Sequence, residues 1–129
     1  MPSNAPHEPK HLLIVDDSKV SRMRIRAFFA AHCPAWRVQE AGSGAEALAL
    51  ASTDPPDFVT MDVNMPGISG FEAAEKLTAA HPRVSIVMLT ANIQESSRRQ
   101  ANTQRVHFVA KPATETSLQQ ALAFLLTPP

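Results

Sequence analysis

Five short strand-like runs alternate with five segments of a different period, and this alternation limits the possible folds more than any other feature of the chain. The runs are Leu12-Leu13-Ile14-Val15, Phe58-Val59-Thr60-Met61, Val84 to Leu89 and Val106 to Ala110, which are largely apolar, and Trp36 to Glu40, which alternates apolar with polar. Short runs rich in β-branched and aromatic residues, bounded by Gly, Pro and Asp, read as strands. Val84 to Leu89, apolar except for Ser85, has the pattern of a strand buried on both faces in the middle of a parallel sheet.

The intervening segments carry helix signals. Ser18 can cap a helix in which Val20, Met23, Ala27, Phe28 and Ala31 recur at helical spacing until Pro34 stops it. Gly42-Ser43-Gly44 leads into an alanine-rich helix, Ala45 to Ala51, and Pro66 to Gly70 leads into another from Phe71 to Ala80. A polar helix from Gln94 to Asn102 has few apolar anchors and is expected to pack least firmly. Thr114 can cap a last helix with Leu118, Ala121, Leu122 and Leu125 on one face. Strict strand–helix alternation calls for right-handed crossovers and a parallel sheet covered on both faces, with ligands at the carboxyl ends of the strands. Periodicity alone leaves the strand order open.

Those carboxyl ends carry an unusual set of polar residues. Asp16 and Asp17 follow the first run, Asp62 the third, Thr90 the fourth and Lys111 the fifth. In a parallel sheet three carboxylates and one ammonium would share a cleft. Like charges about 4 Å apart repel by roughly 4 kcal/mol at an effective dielectric near 20, so the cluster needs a compensating cation. Mg2+ prefers oxygen ligands and keeps positions open for water and phosphate oxygens, so the cluster reads as a site for phosphate chemistry. Asp62 is the candidate nucleophile, able to form an acyl phosphate; Asp16 and Asp17 would hold Mg2+, Lys111 would neutralise phosphoryl oxygens and Thr90 would donate to one of them. Taken singly, an aspartate after a strand is an ordinary helix cap and a lysine before proline an ordinary turn residue. Caps and turns do not explain all five at one sheet edge.

With 129 residues the chain has the length of one domain, divided here into an extended, poorly ordered tail, residues 1–10, and a folded unit, residues 11–129. Twelve basic residues balance twelve acidic ones, which gives no charge-based reason to expect nucleic acid or an anionic membrane as partner. The single cysteine, Cys33, excludes an internal disulfide and fits a reducing, cytoplasmic setting. No segment approaches the roughly 20 apolar residues that span a bilayer. His7, His11, His32, His81 and His107 lack metal-ligand spacing and read as solvated or tail residues. Arg22, Arg24 and Arg26 read as the wet face of the first helix, and Met61, Met65 and Met88 as packing.

Val15-Asp16-Asp17-Ser18, Met61-Asp62-Val63-Asn64-Met65-Pro66-Gly67, Ser69-Gly70, Leu89-Thr90-Ala91 and Lys111-Pro112, in that order at successive strand ends, resemble the receiver domain of two-component response regulators. The likeness covers residue 11 to about residue 126. It implies a flavodoxin-like, doubly wound α/β fold with five parallel strands in the order 2-1-3-4-5 and five helices. It also implies a signalling receiver that catalyses only its own phosphorylation and dephosphorylation. The phosphoryl group would pass from a histidine kinase or histidine phosphotransfer protein onto Asp62 and change contacts with a downstream target protein, in a monomer or a phosphorylation-dependent dimer. By the same resemblance Asp17, Asp62 and the backbone carbonyl of Asn64 bind Mg2+ directly and Asp16 acts largely through water. Lys111-Pro112 would be a cis peptide, and Thr90 and Phe108 the switch pair. The family's Gly-Ala pair before the last strand is replaced by Thr103-Gln104-Arg105-Val106, which leaves Arg105 near the presumed output face.

Three other readings compete. Gly42-x-Gly44-x-x-Ala47 matches a dinucleotide fingerprint, although that motif normally follows the first strand. A haloacid-dehalogenase-type phosphatase would also use an aspartyl nucleophile, but it needs a second aspartate where this chain has Asn64. A receiver-like module that signals without phosphorylation is the third.

Overall fold

The computed structural model describes residues 8–92 and 106–127. Each of the five runs forms a strand: β1 (His11–Val15), β2 (Arg37–Ala41), β3 (Phe58–Asp62), β4 (Ser85–Thr90) and β5 (Val106–Ala110). Helices α1 (Lys19–His32), α2 (Gly44–Thr53), α3 (Gly70–Ala80) and α4 (Glu115–Leu126) lie between and after them. Every strand pairing is parallel, in the order β2-β1-β3-β4-β5, as the family resemblance implied. Four helices, not five, stand among the described residues. The helix expected from Gln94 to Asn102 lies outside them, as do Thr103, Gln104 and Arg105.

Each described helix starts where the sequence places a hydroxyl. Ser18, Ser43, Ser69 and Thr114 are N-caps whose side chains accept from the backbone N–H three residues on. A cap of this kind contributes about 1 kcal/mol and fixes the point at which the chain turns from strand end to helix. That point decides how far each strand-end carboxylate stands from the next helix.

Strand alternation divides the core into two layers. Leu13, Val15, Val59, Met61, Ile86 and Met88 pack with Ala47, Ala73 and Leu77 of α2 and α3. Leu12, Ile14, Val87 and Leu89 point the other way, toward α1 and α4. Burial on both faces is why these strands read as continuous apolar runs. Met61 and Met88 are fully buried, and Met65 nearly so.

The structure corrects the expected inner face of α1. Val20 and Met23 are 62% and 58% exposed, Ala27 and Ala31 are also exposed, and the buried residues are Ile25, Phe28 and Phe29. A helix on an open sheet needs only one apolar stripe, and residues 25, 28 and 29 form it with aromatic volume. Phe29 stacks on Trp36, whose ring meets Phe58 at 4.9 Å between centroids. His11 is a second correction: it is buried, with Nε2 2.7 Å from Gln39 Oε1 and Nδ1 3.3 Å from the Pro55 carbonyl.

Cys33, 1% exposed behind α1, has its thiol pushed up from 9.0 to about 11 by burial. An unfolded chain loses this proton near pH 9 while the native one keeps it, so stability falls as pH rises between 9.0 and about 11. Iodoacetamide at pH 9 should alkylate the native protein at least about 50-fold more slowly than the urea-unfolded chain, because the thiolate is the nucleophile. Mass spectrometry reads both rates, and equal rates would contradict the burial of Cys33.

Candidate functional site

Register brings the strand ends together. Val15 is level with Met61, Asp62 with Leu89, and Thr90 with Ala110, so Asp16 follows β1 beside Asp62, the last residue of β3, and Lys111 follows β5 with only β4 between it and Asp62. The backbone N–H of Asp16 donates to the Ala41 carbonyl at 3.1 Å and that of Lys111 to the Thr90 carbonyl at 2.8 Å, extending the sheet pattern to the two charged residues. With neighbouring strands about 4.8 Å apart, Asp16 and Asp62 are brought into contact range, and the long Lys111 side chain reaches past the end of β4 to Asp62.

Asp16, Asp17 and Asp62 each offer a carboxylate oxygen within 4.8 Å of the other two. Lys111 Nζ lies 2.6 Å from Asp62 Oδ1, and the Asn64 N–H donates to the same oxygen at 3.1 Å. Asp16 and Asp62 are buried, at 2% and 3% exposure, whereas Asp17 is exposed. Burial raises the Asp62 carboxyl above its ordinary range and the Asp16 carboxylate adds to the rise; Lys111 and the Asn64 N–H oppose it. The group is therefore short of positive charge even with Lys111 in contact.

These residues line a cavity of about 420 Å³ that opens past Ser18, Arg24, Asn64 and Pro112. An all-oxygen donor set, two buried carboxylates and an open side suit a hard divalent cation that retains water or phosphate ligands. Lys111-Pro112 is a cis peptide. Thr90 ends β4 beside the cluster, buried, with its hydroxyl accepting from the Asn92 N–H at 3.1 Å. Phe108 is half-buried and packs against Phe71 at 5.9 Å between ring centroids, on the α3 side of β5.

Three residues at this site escaped the sequence reading. Ser21 Oγ donates to Asp16 Oδ2 at 2.7 Å, and Arg22 Nη1 donates to the Asp16 carbonyl at 2.7 Å. Glu40 holds both Arg22 and Arg26 at 2.9 Å. Arg22 is thus no part of a wet face but ties α1 to the ends of β1 and β2. The available signal was the i+5 offset of Ser21 from Asp16, one turn past the cap.

The glycines of the dinucleotide-like motif have other work. Glu46 Oε1 accepts from the Gly42 N–H at 2.7 Å, so the turn's amide is already occupied. A side chain at Gly44 would meet Ile68 Cγ1 at 2.6 Å, which makes this glycine a packing requirement between α2 and the β3–α3 loop.

The profile of the response regulator receiver domain matches residues 12–123. The chain belongs to this family. Receiver domains are signalling modules that interact with histidine kinases or phosphotransfer proteins and with downstream targets. This receiver domain is 31% identical over 118 residues to Protein PilH of Pseudomonas aeruginosa, covering 89% of this chain and 96% of PilH. It is 42% identical over 79 residues to the response regulator GacA of Pseudomonas viridiflava, covering 61% of this chain and 37% of GacA. Its fold is similar to chemotaxis protein CheY4 of Vibrio cholerae, with TM-score 0.81, 26% identity and coverage of 92% of this chain and 99% of that one. It is also similar to response regulator TrrA of Thermotoga maritima in complex with Mg(2+)-BeF, with TM-score 0.77, 27% identity and coverage of 90% and 98%. No described helix of the receiver domain is long and apolar enough to cross a membrane.

Proposed function

We propose that this receiver domain takes a phosphoryl group onto Asp62 from the phosphohistidine of a histidine kinase or histidine phosphotransfer protein, and thereby changes its contacts with a target protein in the cytoplasm. One observation carries the reading: the buried Asp62 carboxylate, 2.6 Å from Lys111 Nζ and grouped with Asp16 and Asp17, faces an open cavity. An Asp62 oxygen attacks phosphorus, the P–N bond of the donor breaks, and the imidazole leaves with the electron pair. Lys111 holds positive charge where the phosphoryl oxygens arrive, and the Asn64 N–H keeps the attacking carboxylate in one orientation.

The donor set fits Mg2+, with Asp17, Asp62 and the Asn64 carbonyl as direct ligands and Asp16 acting through water. When bound, the ion supplies the charge that offsets the incoming phosphoryl oxygens. In the phosphorylated state the Thr90 hydroxyl exchanges the Asn92 backbone for a phosphoryl oxygen, and Phe108 repacks against the vacated space. The folded unit runs from residue 11 to the end of the chain, and its output is protein contact, as a monomer or a phosphorylation-dependent dimer. The TrrA complex supports the reading, since a related fold takes Mg2+ with a beryllofluoride group.

Acetyl phosphate with Mg2+ should add one phosphoryl group to the wild type by intact mass, and EDTA should prevent it. No addition under any Mg2+ concentration would refute the reading. A second expectation concerns Lys111→Ala, which should retain Mg2+ binding by calorimetry yet lose most phosphorylation-dependent target binding, because the phosphoryl charge has lost its partner. An unchanged response in a pull-down of phosphorylated protein would count against that role.

A further inference from the structure

We infer that Ser21 is a positioning residue for the cation site, acting through Asp16; this rests on the Mg2+ reading above. Asp16 Oδ1 accepts from the Ser18 N–H at 2.9 Å and Asp16 Oδ2 accepts from the Ser21 hydroxyl at 2.7 Å. Both oxygens of this buried carboxylate are thus held by the first turn of α1. Each oxygen keeps one lone pair for the cluster, since an ionised carboxylate has about four acceptor sites. The other two members of the cluster are held differently. Asp62 Oδ1 is held by Lys111 and the Asn64 N–H, whereas Asp17 is exposed and no described side chain donates to it.

The local helix geometry shows that the Ser21 contact is built in. Ser18 is the N-cap and Ser21 the third helical residue, whose N–H donates to Ser18 Oγ at 3.2 Å. In a capping box the side chain of that third residue would take the cap's own N–H. Here Asp16 takes that N–H, which frees the Ser21 hydroxyl to close a ring around the same carboxylate. The Arg22 guanidinium on the Asp16 carbonyl, at 2.7 Å, fixes the backbone from the opposite side. Asp16 therefore meets an incoming hydrated cation with its orientation already set. Without the hydroxyl, its carboxylate can turn about its last bond, and the cation must pay to order it. Groups that orient a direct ligand typically change metal affinity by 10- to 100-fold when removed; Asp16 meets the ion through water, one step further out, so the lower end of that range is expected.

The test is Mg2+ titration by isothermal calorimetry of the full chain, alongside thermal melting in EDTA. Ser21→Ala should raise the Mg2+ Kd about tenfold, and Ser21→Thr, which keeps the hydroxyl, should restore it to within about twofold of the wild type. Ser43→Ala serves as the structural control. It removes the equivalent cap oxygen of α2, which does not line the cavity, so it should lower the melting temperature and leave the Kd unchanged. Equal Kd values for wild type and Ser21→Ala, or an equal rise in Ser43→Ala, would overturn the role of Ser21 while leaving the site intact. Failure of the wild type to bind Mg2+ would overturn the metal reading itself, and this inference with it.

Discussion

Asp62→Asn protein incubated with acetyl phosphate and Mg2+ will show no added phosphoryl group by intact mass, where the wild type gains one. The amide oxygen of asparagine carries no full negative charge, and its nitrogen lone pair is delocalised, so neither attacks phosphorus as a carboxylate does. The loss should be complete rather than graded. Asparagine has the same shape as aspartate, and its Oδ1 can still accept from Lys111 Nζ and the Asn64 N–H, the two donors that Asp62 Oδ1 has at 2.6 and 3.1 Å. The variant should therefore keep its far-UV circular dichroism, which separates lost chemistry from lost fold. Phosphorylation of the variant at the wild-type level would move the acceptor elsewhere, with exposed Asp17 the nearest alternative.

The second large effect falls on Gly70, where alanine should lower the melting temperature by about 10 °C. Gly70 begins α3 directly above the end of β3, and its N–H donates to the Val63 carbonyl at 3.0 Å. A Cβ at this position would collide with the Asp62 carbonyl oxygen, lie 2.8 Å from Val63 Cα and lie 3.0 Å from Met88 Cε. Two of those three neighbours are backbone and cannot swing aside, so α3 and the β3–α3 loop must move apart. Overpacking of this kind costs about 3 kcal/mol at the upper end of its usual range. For a domain of this size that corresponds to roughly 4 °C per kcal/mol. Because the displaced backbone belongs to Asp62, phosphorylation by acetyl phosphate should also slow. Melting followed by circular dichroism decides the matter, and a shift under about 2 °C would show that the loop yields freely.

Much of the site was legible because it depends on short-range rules. A short buried apolar run usually breaks where a charged residue appears, so Asp16, Asp62 and Lys111 mark strand ends from sequence alone. Parallel crossovers then bring those ends to one edge. Caps were legible for the same reason: Ser18 and Thr114 sit where an apolar run gives way to helical spacing, and each caps a helix. The cluster of Asp16, Asp17 and Asp62 required only that β1 and β3 be neighbours.

Other features needed the packed molecule. The residues of α1 offer two apolar stripes, one through Val20 and Met23 and one through Ile25, Phe28 and Phe29, and periodicity ranks neither. The sheet takes the stripe with aromatic rings because Trp36 and Phe58 wait beneath it. His11 is buried and Arg22 is drawn inward because Gln39 and Glu40 lie on the adjacent strand, at separations of 28 and 18 residues that no local pattern connects. The grip of Ser21 on Asp16 belongs to the same class, since it depends on the angle at which α1 leaves β1.

The amino-acid sequence by itself determined the strand–helix alternation, the caps and the charged residues at the strand ends, because these follow from hydrophobic period and backbone chemistry over a few residues. Tertiary structure alone decided which face of α1 is buried, how Asp16 is held and how Lys111 meets Asp62. Those outcomes depend on strand register and helix angle, which are set by the packing of distant side chains against one another.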